Sequence, residues 1–116
     1  MDATQTIAAL AALAQEHRLQ AFRFLVQRGA DGAAAGVIAD HLAIPASSLS
    51  FHLAQLERAG LVVRVRKSRS LIYSADFAAM NTLVGYLMEN SCGGANACAP
   101  ACKTQPDRPI LERNAA

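Results

Sequence analysis

One stretch limits the fold more than any other: a helix-length segment closed by proline at one end and glycine at the other, followed at once by two strand-like runs. Proline is tolerated in the first turn of a helix because its missing N–H would be unpaired there anyway. Pro45 therefore marks the start of a helix running to about Ala59, and Gly60 stops it. Leu61 to Arg66 and Ser70 to Ser74 are rich in Val, Ile, Leu and Tyr and are separated by Lys67-Ser68-Arg69, which reads as a β-hairpin with a basic tip.

Just upstream, Val37 to Leu42 forms a short helix with Ile38 and Leu42 pointing inward, and Ala43-Ile44-Pro45 turns the chain. A short helix, a tight turn, a second helix and a two-stranded hairpin, in that order, make a mainly α chain with a β-hairpin wing: a winged helix-turn-helix. Three further helices are expected around this unit. Thr4 to Ala14 carries an apolar stripe of Ile7, Leu10, Ala11 and Ala14 that something must cover. Glu16 to Arg28 places Leu19, Phe22 and Val26 on one face and ends at Gly29, before a loop of Ala30-Asp31-Gly32. A last helix runs from Ser74 or Asp76 to about Asn90, and its Phe77, Met80, Val84 and Leu87 form a seam that wants a partner helix.

After Ser91 the character changes. All three cysteines, three of the four prolines and Gly93-Gly94 fall there, so residues 1–90 are read as a DNA-binding and dimerisation domain and 91–116 as a flexible tail. A chain of 116 residues suits one such domain and leaves no room for a catalytic one, so no enzyme is expected. With 53% hydrophobic and 17% charged residues it is expected to fold rather than stay disordered. The longest apolar run, Ile7 to Ala14, falls far short of the roughly 20 residues that span a bilayer. Asp2 precedes that run and no Lys or Arg does, unlike a secretory signal, so the expected location is the cytoplasm.

A net charge of +2 says little alone, but Arg58, Arg64, Arg66, Lys67 and Arg69 concentrate five of the eleven basic side chains in one short stretch. At about 100° per residue, the helix after Pro45 divides into an inner face of Leu49, Leu53 and Leu56 and an outer face of Ser47, Phe51, Ala54 and Arg58. Ser48, Ser50 and Gln55 flank that outer stripe. Short hydroxyl side chains let a helix sink into the major groove, and an exposed phenylalanine packs on a thymine methyl. Arg58, Arg66, Lys67 and Arg69 are read as phosphate contacts that give affinity and salt dependence rather than sequence choice. His52 lies towards the inner face as a partly buried histidine at the margin of this DNA-binding set, while His17 and His41 are isolated in sequence. Taken alone, the serines are an ordinary helix start and the wing tip a solvated turn; the succession of elements favours DNA.

Cys92, Cys98 and Cys102 are six and four positions apart with glycines and Pro100 between, so a loop can bring three sulfurs together. Structural zinc normally takes four protein ligands, one more than this set supplies. Thiolates select soft partners, and trivalent arsenic or antimony, whose three hydroxyls three thiols can replace, suits the count. A monomethylated arsenical would need only two of them. Spacing leaves open that these are inert tail thiols or a reversible redox pair. An arsenical reductase, the enzymatic rival, would need an activated thiol in a folded pocket, and this tail lies far in sequence from the arginines.

Several segments together resemble a known family. Leu13-Ala14-Gln15-Glu16-His17-Arg18-Leu19, Ile38-Ala39-Asp40-His41-Leu42, and above all the run from Ser50 through His52-Leu53, Leu56 and Ala59-Gly60-Leu61-Val62, with a basic wing and Tyr73 after it, are similar to the ArsR/SmtB-type metal-responsive repressors. The resemblance covers about residues 7 to 90. It implies a symmetric homodimer built on the first and last helices, repression of a resistance operon, and release from double-stranded operator DNA on metal binding. Two departures narrow it. Val37-Ile38-Ala39-Asp40 lacks the cysteines that many arsenic-responsive members carry there, and no histidine between Asp76 and Asn90 supplies the ligands of zinc-responsive members. The remaining likeness is to the subgroup that senses arsenic through cysteines after the last helix. Ala46 and Phe51 also replace polar residues common in the family's recognition helix.

Overall fold

A computed structural model describes residues 1–89; the three cysteines lie outside the described residues. The chain opens with helix α1, Ala3–Leu13. Its start is closed by a reciprocal pair: Gln5 N–H donates to Asp2 Oδ1 at 2.7 Å and Asp2 N–H to Gln5 Oε1 at 3.0 Å. Thr6, Ala9 and Ala12 are its buried residues, so the stripe of Ile7, Leu10, Ala11 and Ala14 points away from the protomer's own core; Ile7 is 65% exposed.

Helix α2, Glu16–Arg28, is capped by Gln15, whose Oε1 accepts from Arg18 N–H at 3.0 Å. Its buried residues are Ala21, Phe22 and Leu25, which corrects the expected face of Leu19, Phe22 and Val26: Leu19 is exposed and Val26 half-buried. The apolar residues of α2, Leu19, Ala21, Phe22, Phe24, Leu25 and Val26, do not form one narrow stripe, and the core takes the side where a small Ala21 permits close approach.

A single 3-10 turn, Gly29–Asp31, replaces the expected loop, and a two-residue strand β1, Ala33–Ala34, follows it. Gly32 makes this strand possible. Its φ is +62°, and a Cβ there would run into the Tyr73 carbonyl oxygen, so only glycine lets the chain come this close to the opposing backbone. Helix α3, Ala35–Leu42, starts two residues earlier than expected and buries Ile38, with Leu42 half-buried.

Helices α3 and α4 (Ala46–Arg58) end by the same device. After α3, Ile44 N–H donates to Ala39 O at 3.2 Å and Ala43 N–H to Asp40 O at 3.3 Å. After α4, Leu61 N–H donates to Leu56 O and Gly60 N–H to Glu57 O, both at 3.0 Å. Each motif needs a left-handed residue: Gly60 at φ +82° supplies one at no steric cost, whereas Ala43 at φ 58° carries a Cβ into that region.

Strands β2 (Val62–Lys67) and β3 (Ser70–Ala75) form the hairpin, with Lys67 opposite Ser70 and Val62 opposite Ala75. The sheet order is β1-β3-β2, all antiparallel, which leaves β2 at an edge. Helix α5, Phe77–Met88, starts from Asp76, whose Oδ1 accepts from Ala79 N–H at 3.0 Å. Of the expected seam, Phe77 and Met80 are half-buried and Val84 and Leu87 exposed; the buried residue of α5 is Leu83.

Leu25, Ile38, Leu49, Leu53, Leu56, Leu61 and Val62 are the largest fully buried side chains, so α2, α3, α4 and β2 meet in one core. That unit spans Met1–Tyr86. The architecture is a winged helix-turn-helix, with one strand more than the sequence suggests. Among the described residues, no helix is long and apolar enough to cross a membrane.

Candidate nucleic-acid interface

Helix α4 is divided by its own periodicity. Leu49, Leu53 and Leu56 are buried against the core, which anchors the helix along its length and leaves the other face outward. On that face Ser47, Ser48, Ser50 and Arg58 are exposed and Phe51 is 58% exposed, while His52 and Gln55 are half-buried at its margins. Keeping a phenylalanine in water has a hydrophobic cost of about 1.5–3 kcal/mol relative to burying it, so nothing in the protomer's own packing accounts for Phe51. The exposed hydroxyls and the aromatic ring suit base edges and a thymine methyl.

The wing presents Arg66, Lys67 and Arg69 to solvent, with the two-residue loop Ser68-Arg69 turning on Ser68 at φ 58°. Arg64 Nε lies 3.1 Å from Glu57 Oε2, which ties β2 to the last turn of α4. The pair is largely exposed, and such a pair is worth at most about 1 kcal/mol. Its effect is on direction: it uses one basic residue internally and leaves those nearer the tip free for phosphate.

Sequence reasoning missed the contact behind α4. Arg18, at the start of α2, donates from Nε to the Ala12 carbonyl near the end of α1 at 2.6 Å, and its Nη1 lies 3.4 Å from His52 Nδ1. Guanidinium has no acceptor, so His52 Nδ1 must be the unprotonated nitrogen of a neutral ring. Burial, then the positive charge of Arg18, then His17 at 5.5 Å between ring centroids, pull the His52 pKa below its ordinary value. No local motif signals a pair 34 positions apart. His41 stacks on Phe24 with ring centroids 4.2 Å apart, and the Arg28 guanidinium lies 5.6 Å from the same Phe24 ring.

Among the described residues, no group of three or more His, Cys, Asp or Glu side chains is placed to hold a metal ion. Cys92, Cys98 and Cys102 fall outside those residues.

An anchored helix with an outward hydroxyl face, entered through a tight turn and followed by a basic hairpin, belongs to the winged helix-turn-helix class of DNA-binding transcription regulators. The comparisons with known proteins agree. Residues 13–66 match the family described as Helix-turn-helix domain. HlyU from Vibrio cholerae N16961 is similar at 26% identity over 79% of this chain and 99% of its own, with a TM-score of 0.62. NolR from Sinorhizobium fredii is 29% identical over 80% of this chain and 88% of its own, with a TM-score of 0.60. A homodimeric winged helix-turn-helix DNA-binding domain from Mycobacterium bovis, a possible ArsR-family transcriptional regulator, is 27% identical over 75% of this chain and 81% of its own, with a TM-score of 0.59. No curated protein matches the sequence. The chain has the fold of a winged-helix DNA-binding transcription regulator and is similar to regulators of the ArsR and HlyU type.

Proposed function

We propose that this chain is a cytoplasmic repressor that binds operator DNA as a homodimer and dissociates when Cys92, Cys98 and Cys102 capture trivalent arsenic or antimony. The observation that carries the DNA part is the outward face of α4, where Ser47, Ser48, Ser50 and Phe51 are exposed opposite a fully buried leucine row. Phe51 reads a thymine methyl; the serines contact base edges or phosphates; Arg58, Arg66, Lys67 and Arg69 neutralise phosphates. Support for the homodimer is twofold: the similar M. bovis domain is homodimeric, and α1 and α5 leave Ile7, Leu10, Val84 and Leu87 exposed.

The inducer reading rests on chemistry. Arsenite is a neutral trihydroxide, and three thiols displace its three hydroxyls, forming three As–S bonds and releasing three waters. A cytoplasm keeps such thiols reduced. In a two-fold dimer the recognition helices sit about one DNA turn apart, ~34 Å, so a small change in the angle between protomers destroys register with both half-sites. Whatever free energy the metalloid supplies against DNA, DNA supplies against the metalloid.

The deciding experiment titrates the full chain on its promoter fragment with arsenite, antimonite, zinc, cadmium and peroxide side by side. Arsenite and antimonite are expected to release the DNA, and replacing any one cysteine by serine is expected to abolish that release while leaving DNA binding intact. Retention of the fragment at saturating arsenite overturns the reading. A second reading, a thiol redox sensor, is kept in view because reduced HlyU from V. cholerae is among the similar structures, at 27% identity and a TM-score of 0.61. Release by peroxide alone would select it.

A further inference from the structure

We propose that Arg18 is a positioning residue that holds helix α4 at a fixed angle to the end of α1, acting through the Nδ1 atom of His52. The inference rests on α4 being the helix that reads DNA. Its geometry is that of a strut with two fixed ends. One end is the Ala12 carbonyl, among the last four of α1, which the helix itself leaves without a partner and which Arg18 Nε satisfies at 2.6 Å. The other end is His52, one residue beyond Phe51 on α4, at 3.4 Å from Arg18 Nη1. Helix α1 also carries the outward apolar row of Ile7 and Leu10, so the strut lies between the surface that would meet a second copy and the surface that would meet DNA.

The surroundings make this strut depend on proton occupancy. From α2, His17 and Arg18 face His52; from α4 itself, the Phe51 ring lies at 5.7 Å; from α1, only the Ala12 carbonyl enters the contact, through Arg18. Arg58 lines the same open cleft of about 250 Å³ as Arg18, with Gln55 and alanines of α1. Among the described residues, no carboxylate lies within ion-pair distance of Arg18 or His52. No described carboxylate is therefore at hand to stabilise a second positive charge. Protonating His52 removes the lone pair that accepts from Arg18 and sets two cations against each other, so the strut opens.

The sign follows from the lowered pKa of His52. The neutral ring is the folded-state form, and the contact is complete above the ordinary histidine range. It is lost as pH falls below that range and is gone once pH passes beneath the lowered folded-state value. A histidine that merely sat near phosphate would do the opposite, because its added charge would tighten DNA in acid.

The test uses the full chain at constant salt and a labelled duplex recovered from a randomised library by selection with that chain at about pH 8. Between about pH 8 and pH 5.5 the wild-type Kd is expected to rise, by less than the roughly tenfold that a histidine of ordinary pKa would give. His52→Asn, whose side-chain oxygen can accept at the Nδ1 position without ionising, is expected to lose that acid dependence, whatever its affinity at about pH 8. His41→Asn, in the remote Phe24 stack, is expected to keep it. Tightening or no change of the wild type in acid, or an unaltered slope in His52→Asn, overturns the strut. A parallel nitrogen-15 titration of the histidine rings reads the contact without DNA: His52 is expected to protonate below its ordinary value, and Arg18→Met to raise it. A His52 that titrates at or above the ordinary value, or is unmoved by Arg18→Met, refutes the proposal. If no duplex is retained at about pH 8, the repressor reading fails and the ring titration alone decides the strut.

Discussion

Helices α4 and α5 are of nearly equal length, yet they treat their two sides in opposite ways. In α4 the inner side is a row of three buried leucines and the outer side is mostly hydroxyl and charge, with Phe51 the one large apolar exception. In α5 only Leu83 is buried, while Val84, Tyr86, Leu87 and Met88 are all exposed. A helix whose outer side is polar is finished by water or by a polar polymer; a helix whose outer side is apolar is finished only by another apolar surface. Among the described residues, α4 finds its apolar partners within one protomer, while α5, like α1, keeps an apolar side exposed.

The sharpest way to break this contrast is to truncate each helix at its most characteristic side chain. Leu56→Ala removes a fully buried side chain from α4 and is expected to cost about 3–4 kcal/mol, read as a lowered denaturation midpoint. A cost under about 1 kcal/mol would mean that α4 is not anchored by its leucine row. Val84→Asp in α5 touches a residue that is 52% exposed, so the protomer's own packing loses little, whereas self-association is expected to weaken by about 2 kcal/mol or more. Sedimentation across a concentration series checks it, and an unchanged dimer would place the second copy elsewhere. Phe51→Ala is expected to leave thermal stability within about 0.5 kcal/mol and to weaken binding to a thymine-containing site by about 1–2 kcal/mol, with little change on non-specific DNA. The smallest effect concerns the turn between α3 and α4: Ala43→Gly relieves a left-handed alanine and is expected to stabilise by about 0.5 kcal/mol in a urea titration.

The same contrast explains what was legible in the sequence. Helix α4 and the hairpin are plain because proline, glycine and a leucine period mark them locally, and so the outward candidates on α4 and the wing follow from residue order. β1 is not plain. Two alanines have little strand preference, and the strand exists because Gly32 admits close approach to Tyr73, a partner some forty positions away. The buried face of α2 is likewise ambiguous, since Leu19, Phe22, Leu25 and Val26 offer the core more than one choice, and tertiary packing makes it. The Arg18–His52 contact is invisible for the same reason: it joins the start of α2 to the middle of α4, which only the fold brings together. The tail cysteines are legible as chemistry, but they lie outside the described residues and their arrangement rests on residue type alone.

The position of β2 at the margin of the sheet has a practical consequence. Its sequence, Val62-Val63-Arg64-Val65-Arg66-Lys67, mixes valine with cations along a strand that has no partner on its outer edge among the described residues, and Val63 and Val65 are exposed. Strip the charges and what is left is a flat, sticky ribbon of the kind that recruits strands from other molecules. The arginines and lysine of the wing thus serve as gatekeepers of solubility as well as phosphate contacts. Neutralising all of them at once to silence operator binding would therefore yield a protein that clumps, and the lost activity would be misread as lost recognition.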